Sequence, residues 1–300
     1  MDIDMWLRYH HFVVERHLVW TRRQAGEPPP WTSNPVLRGR KFTNVFRILD
    51  PGSQFVLTDL FADVGCLDAL ARTVLYRHTN HPDVWRELKD YWGGYPTRSA
   101  VTDPDLRAEL SMLLNGLKDN GKPVFNPAYL IYPGHVKGAN KVDSILERVA
   151  GFVSERGEEF IQADQLEHQV RLLRTFPGIG DFIGMQVATD WNYGPWGQDS
   201  ENSYILAGPG ARRGAQLVFP NQSPEDAIRR AWSLWQDSPE APRLQGRLPS
   251  LMDVQNTMCE FSKYARYLGR APGRAYEPAH PGPQEPPVLP QHWTTKGTER

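Results

Sequence analysis

Apolar residues recur three and four positions apart through most of the chain, the spacing of helices that bury one face. Ile3, Trp6, Val13, Val14 and Leu18 predict a first helix over 3–23, ended by three consecutive prolines at 28–30. Phe42, Val45, Phe46 and Leu49 predict a second over RGRKFTNVFRILDPGSQ (38–54), stopped or kinked before Pro51. Further helices are expected at 57–76, 83–92, 103–118, 141–156, 164–174, 181–191, 224–236 and 250–268. Residues 120–141 read as loop with room for one or two short strands, and 193–224 as irregular. The proline-rich stretch 271–300 reads as an extended or disordered tail. The sum is a mainly α protein: one helical domain over 1–270, of one lobe or two, and the tail. No alternation of strand and helix suggests a parallel sheet.

The polar positions are less ordinary. Thr43, Arg47, Asp50 and Gln54 follow one another at steps of four, three and four, with Arg40 and Asn44 beside them. On a helix they would form a wholly polar second face. Thr, Asn and Asp are poor helix formers, and a solvated face is normally filled with Glu, Lys and Ala. The stretch 251–270 repeats the oddity. Leu251, Val254, Met258, Phe261 and Leu268 form the apolar stripe; Asp253, Asn256, Glu260, Lys263 and Tyr267 share the other side, with Tyr264 beside Glu260. Both polar faces are candidate walls of a site, although a solvated face with a Glu–Lys pair would also account for the second.

Composition narrows the classes. The 300 residues are 40% hydrophobic and 23% charged, with a net charge of -1, so any DNA-binding surface must come from local clustering of Lys and Arg. Two distant cysteines, Cys66 and Cys259, fit a reducing compartment rather than a disulfide framework. No apolar run of about 18 residues predicts a membrane span, and the acidic start is no signal peptide. A cytoplasmic location is expected. The nine histidines show no metal-ligand spacing, so no protein-bound metal is expected.

Two glycine motifs bear on chemistry. Phe176-Pro177-Gly178-Ile179-Gly180 lies between two predicted helices, and the free N–H groups opening the second suit a DNA phosphate. Any tight corner between helices could hold the same glycines. AGPGARRG (207–214) places Arg212 and Arg213 behind a glycine loop able to cradle phosphate, or to be a plain surface turn. It is no kinase P-loop, because Gly-Lys-Ser/Thr is absent; the chain's one Gly-Lys, at 121–122, precedes Pro123.

Four motifs in order, NPVLRGRKFTNVFRILDPGSQ, FPGIGDFIGMQVATD, AGPGARRG and DVQNTMCEFSKY, span roughly 30–270. Together they resemble the phage amino acid:DNA transferases, also described as α-glutamyl/putrescinyl-thymine pyrophosphorylases. That family is similar to the helical domain of 5-hydroxymethyluracil DNA kinases. The resemblance implies a helix-hairpin-helix, DNA-glycosylase-like fold. It also implies displacement of pyrophosphate from 5-pyrophosphoryloxymethyl-deoxyuridine in DNA by the amine of an amino acid or polyamine. The implied partners are double-stranded DNA with modified bases, the amine and a separate 5-hydroxymethyluracil DNA kinase, with no membrane. No cofactor is identified, and a divalent cation accompanying pyrophosphate stays open.

On this resemblance Arg40 and Arg47, with Arg212, would engage pyrophosphate, helped by Gly208, Gly210, Asn256, Lys263 and Tyr264. Thr43, Asn44 and Gln54 would orient base or nucleophile, and Asp50, Asp199, Glu201 or Glu260 would take the amine's proton. Pro177, Gly178, Ile179 and Gly180 would grip DNA. Asp181-Phe182 stand where some glycosylases of that superfamily carry a lysine, so a Schiff-base lyase is not supported. A glycosylase acting on a modified base, or a non-catalytic DNA-binding subunit, are the alternatives.

Overall fold

The computed structural model describes residues 1–126, 140–197, 199–269 and 286–295, with residues 294 and 295 as main chain alone. The helices are α1 (Ile3–Gln24), α2 (Pro35–Gly39), α3 (Pro51–Phe55), α4 (Cys66–Thr79), α5 (Pro82–Trp92), α6 (Arg98–Thr102) and α7 (Pro104–Asp119). They continue with α8 (Lys141–Gln162), α9 (Leu166–Arg174), α10 (Asp181–Tyr193), α11 (Pro209–Val218), α12 (Pro224–Gln236), α13 (Leu251–Ala265) and α14 (Gln291–Thr295). Among the described residues there is no strand, only one isolated bridge between Leu244 and Arg247. The strands expected near 120–141 fall largely on residues 127–139, outside the described residues, as do 271–285 of the expected tail. Gln291–Thr295 of that tail is helical.

The chain forms two compact units. Unit 1 comprises Met1–Asp50 and Tyr204–Pro287; unit 2 comprises Pro51–Ser203 and Val288–Arg300. In unit 1, α11 and α12 pack on α13, and α1 packs on α11 and α13. Tyr9, Phe12, Trp235 and Phe261 lie in its core. In unit 2, α4 packs on α8, α6 and α10, and α9 pairs with α10. Trp85, Phe152, Phe160 and Trp191 fill that core.

Most helices fall where the apolar spacing places them, and three departures have physical causes. The stretch 38–54 is not one helix. It is the end of α2, an extended run over 40–46, a single 3-10 turn at Arg47–Leu49 and the short α3. Phe42, Val45, Phe46 and Leu49 are all buried nonetheless. The low helical propensity of Thr43, Asn44 and Asp50 wins, because their polar groups find partners outside a helix.

The helix expected over 57–76 is broken at 61–65, where Asp63 is left-handed (φ 48°) and Gly65 caps α4. The supposedly irregular 193–224 contains α11. Its glycines are on one helical face four residues apart, Gly210 against Cys259 and Gly214 against the main chain of Met258, so a side chain at either would collide with α13. Along α1 the buried row is Tyr9, Phe12, Val13, Arg16 and His17, while Ile3, expected in the core, is 67% exposed.

Candidate functional site

In unit 1 the polar row of α13 holds the main chain of the extended run. Thr43 N–H donates to Glu260 Oε2 at 3.0 Å, and Asn256 Nδ2 donates to the Asn44 carbonyl at 2.9 Å. Arg47 N–H donates to Asp253 Oδ1 at 2.6 Å. Asp253, Asn256 and Glu260 lie three and four residues apart, hence on one face. This face is neither a solvated surface nor a free wall; it clasps a segment that could not hold its shape alone.

The clasp is anchored at its base. Ser250 and Asp253 form a reciprocal N-terminal cap on α13, the Ser250 hydroxyl accepting from Asp253 N–H and Asp253 Oδ2 accepting from Ser250 N–H at 2.9 Å. Burial pushes the Asp253 carboxyl up, and the N–H groups of Arg47 and Ser250 pull against that shift.

Several expected site residues meet on this segment. Arg47 is buried, with Nη1 3.7 Å from Asp50 Oδ2, and Asp50 keeps part of its side chain exposed. Asn44 Nδ2 donates to the Leu49 carbonyl, folding the segment back on itself. Arg40 lies over the Tyr267 ring, 4.5 Å from its centroid, and Lys263 lies 4.6 Å over Phe42. Lys263 also pairs with Glu260 at 2.7 Å. Tyr264 packs on Phe12 and Phe42, and its hydroxyl accepts from Asn34 Nδ2.

Arg16 was missed by the sequence reading. Its Nη2 donates to the Phe42 carbonyl at 3.1 Å and to Asn44 Oδ1 at 2.7 Å. Nη1 is buried and has no hydrogen-bond partner among the described residues. Burial pulls this guanidinium down to about 10, opposed by Asp50, so it stays charged at neutral pH. The signal was available in the sequence. Positions 9, 12, 13, 16 and 17 are one buried stripe, and an arginine on such a stripe needs a polar reason to be there.

Other expected residues have different surroundings. Arg212 Nε donates to the Ala207 carbonyl, with Glu225 3.6 Å from Nη2, so it braces the start of α11. Gly208 is the cap residue of that helix, and Gly210 serves packing.

The remaining expected site residues belong to unit 2. Gln54 pairs its side-chain amide with the N–H and carbonyl of Val288, at 2.9 and 3.0 Å. Asp199 accepts from Leu166 N–H and the Ser203 hydroxyl, tying down the start of α9. Glu201 is buried and accepts from the Tyr193 hydroxyl at 2.7 Å.

The glycine hairpin is formed by α9 and α10. Ile179 N–H bonds to the Phe176 carbonyl, and Gly178 is left-handed (φ 88°) with the Arg148 guanidinium against it. Pro177 and Gly180 are exposed, and Ile179 is buried. Gly180 precedes the free N–H groups of α10, and Asp181 pairs with Arg174 at 2.8 Å.

Unit 2 also buries a polar cluster that the sequence reading did not single out. Arg77 donates from Nε to Asp190, from Nη1 to Asn80 Oδ1 (3.0 Å) and from Nη2 to Ser53 Oγ (3.3 Å). Ser53 donates to the other Asp190 oxygen at 3.0 Å. Among the described residues no group of three or more His, Cys, Asp or Glu could hold a metal ion, and no helix is long and apolar enough to cross a membrane.

A family model described as "5-hmdU DNA kinase, helical domain" matches residues 4–271. A curated relative, "5-hmdU DNA kinase" of Bacillus phage SP10, is 24% identical over 303 residues, covering 90% of this chain and 46% of its own length. The chain thus spans about half the length of that relative. No solved structure matches.

Proposed function

We propose, from the premise that the chain belongs to the family of 5-hmdU DNA kinase helical domains, that it is a transferase in thymine hypermodification. On this reading it replaces pyrophosphate on the 5-methylene of a modified deoxyuridine in DNA with the amine of an amino acid or polyamine. The observation that carries the reading is the clasped segment 40–50 of unit 1. It holds Arg40, Arg47 and Asp50 on an irregular main chain that three α13 side chains keep in place. Rigid support of a polar loop is what a positioned site requires. The hairpin of α9 and α10 supports DNA binding through the helix N-terminus.

The reaction breaks the bond between the methylene carbon and the pyrophosphate oxygen and forms a carbon–nitrogen bond to the amine. Arginines suit the leaving group, since the planar guanidinium meets phosphate oxygens in pairs and offsets the charge that develops there. The uracil ring can expel pyrophosphate first, leaving an exocyclic methide that the amine attacks. The amine's surplus proton then goes to a carboxylate. We assign Asp50 to this role. It stands beside Arg47 on the clasped segment and keeps part of its side chain exposed. Phosphorylation of the base is left to a kinase site outside these residues, since Gly-Lys-Ser/Thr is absent.

The test is chemical. DNA bearing the pyrophosphate ester is incubated with a pool of amino acids and polyamines, digested to nucleosides and analysed by mass spectrometry. An aminated nucleoside is expected. An abasic site would replace this reading with a glycosylase, and unchanged DNA held by the protein would replace it with a binding subunit. Arg47→Met keeps most of the buried aliphatic volume and is expected to lower the transfer rate by roughly 100-fold or more.

A further inference from the structure

We propose that Arg16 is an anion-binding residue, whose buried Nη1 donates to a pyrophosphate oxygen beside Arg47 and Asp50. The inference rests on the reading above for the identity of the anion, but not for the existence of the site.

Three observations carry it. Arg16 points its other terminal nitrogen at the clasped segment itself, at the Phe42 carbonyl and the Asn44 side chain, so its charge belongs to that segment. Nη1 lacks an acceptor among the described residues although it is buried. A buried donor left without an acceptor is expensive, and a donor on a charged group more so; structures that retain one commonly supply the acceptor from a ligand or water. A charged donor then favours an anion over water. Asp253 accepts from main-chain N–H groups, and Glu260 pairs with Lys263 while also acting on Arg16. Asp50 faces two guanidinium groups, lying 3.7 Å from Arg47 and acting on Arg16 as its leading charge partner. Arg23 adds a further positive charge that acts on Arg16, and in so poorly solvated a place a phosphate oxygen is held more strongly than in water.

The roles of Arg16 and Asn44 can be separated. Asn44 Oδ1 is one of the two acceptors that tie Arg16 to the segment. Asn44→Ala therefore loosens the segment while leaving Nη1 in place. Arg16→Met removes both the tether and the anion donor, and Arg16→Lys keeps a charge without the two-pronged geometry.

The experiment is titration of the full chain with inorganic pyrophosphate, followed by calorimetry and by 31P line broadening, with thermal melts to verify folding. Wild type is expected to bind. Arg16→Met is expected to lose about tenfold or more in affinity, Arg16→Lys somewhat less, and Asn44→Ala distinctly less than either.

Absence of pyrophosphate binding to the wild type would overturn the proposal, leaving a buried water as the partner of Nη1. So would a folded Arg16→Met protein with unchanged affinity. An equal loss in Asn44→Ala would reduce Arg16 to a tether of the segment and equally overturn it. If Arg16→Met fails to fold, Arg16→Lys carries the same comparison.

The transfer assay keeps the two readings distinct. Arg16-dependent binding without transfer leaves the anion site and removes the transferase. Transfer with Arg16-independent binding removes only this inference.

Discussion

Each unit buries an arginine at a helical position that apolar spacing assigns to the core, and the two sites are finished differently. Arg77 of α4, in unit 2, has all three guanidinium nitrogens engaged by Asp190, Asn80 and Ser53. Arg16 of α1, in unit 1, spends one nitrogen on two acceptors and leaves Nη1 with none among the described residues. The closed set ties together elements of the fold; the open donor is the one assigned above to an anion. Burial alone does not separate the two cases, since both arginines are deeply buried. The count of partners does.

The largest effect is expected from breaking the closed site. Arg77→Met takes the opposite charge away from buried Asp190, and removal of one member of such a pair costs about 3–5 kcal/mol. Chemical denaturation should show this loss. Saturating pyrophosphate should raise wild type and variant equally through the Arg16 site, leaving the difference between them unchanged. A difference narrowed by pyrophosphate would contradict the division drawn between the two arginines.

A pH dependence follows next in size. His78 of α4 is fully buried, and burial pulls it down to about 4, reinforced by the positive charges of Arg148 and Lys141 against the favourable bond to the Val74 carbonyl. The folded state therefore keeps His78 neutral where the unfolded chain, near 6.5, takes up a proton. The stabilisation is complete above about pH 6.5 and is lost as the pH falls toward 4, roughly 3 kcal/mol in all. His78→Leu should flatten this part of the profile of urea midpoint against pH. His17 in unit 1 is also lowered by burial, so a residual slope should persist. A profile unchanged by His78→Leu would assign the whole dependence elsewhere.

How much of this was legible in the sequence depends on the kind of residue. Helical periodicity located α1, α5, α7, α9, α12 and α13 closely, because each turns an apolar face to the core, and α10 matches its expected span although every residue from Ile183 to Tyr193 is buried. It failed at 38–54, where Phe42, Val45, Phe46 and Leu49 are buried at helical spacing by a main chain that is not helical. The correct signal there was the composition of the polar positions. Thr43, Asn44 and Asp50 are poor helix formers, and the segment is shaped by tertiary hydrogen bonds that no local pattern encodes. Gly210 and Gly214 lie in helix α11 rather than in the loop expected there, on the small face that lets α11 and α13 touch. The polar rows of 38–50 and α13 were each visible. That they bind one another, 206 to 217 residues apart, was not.

The smallest stability effect is expected from the most informative substitution at the open site. Glu260→Gln keeps an acceptor for Thr43 N–H and loses the charge pairing with Lys263, a partly exposed ion pair whose loss should cost well under about 1 kcal/mol. If Asp50 takes the amine's proton, Glu260→Gln should retain most of the transfer rate, whereas Asp50→Asn should lose it. Pyrophosphate affinity should follow the charges. Asp50→Asn removes the negative partner of Arg16 and Arg47 and should tighten pyrophosphate binding even as transfer fails. Loss of transfer in Glu260→Gln with Asp50→Asn active would move the base to α13 and make the clasp itself the reacting wall.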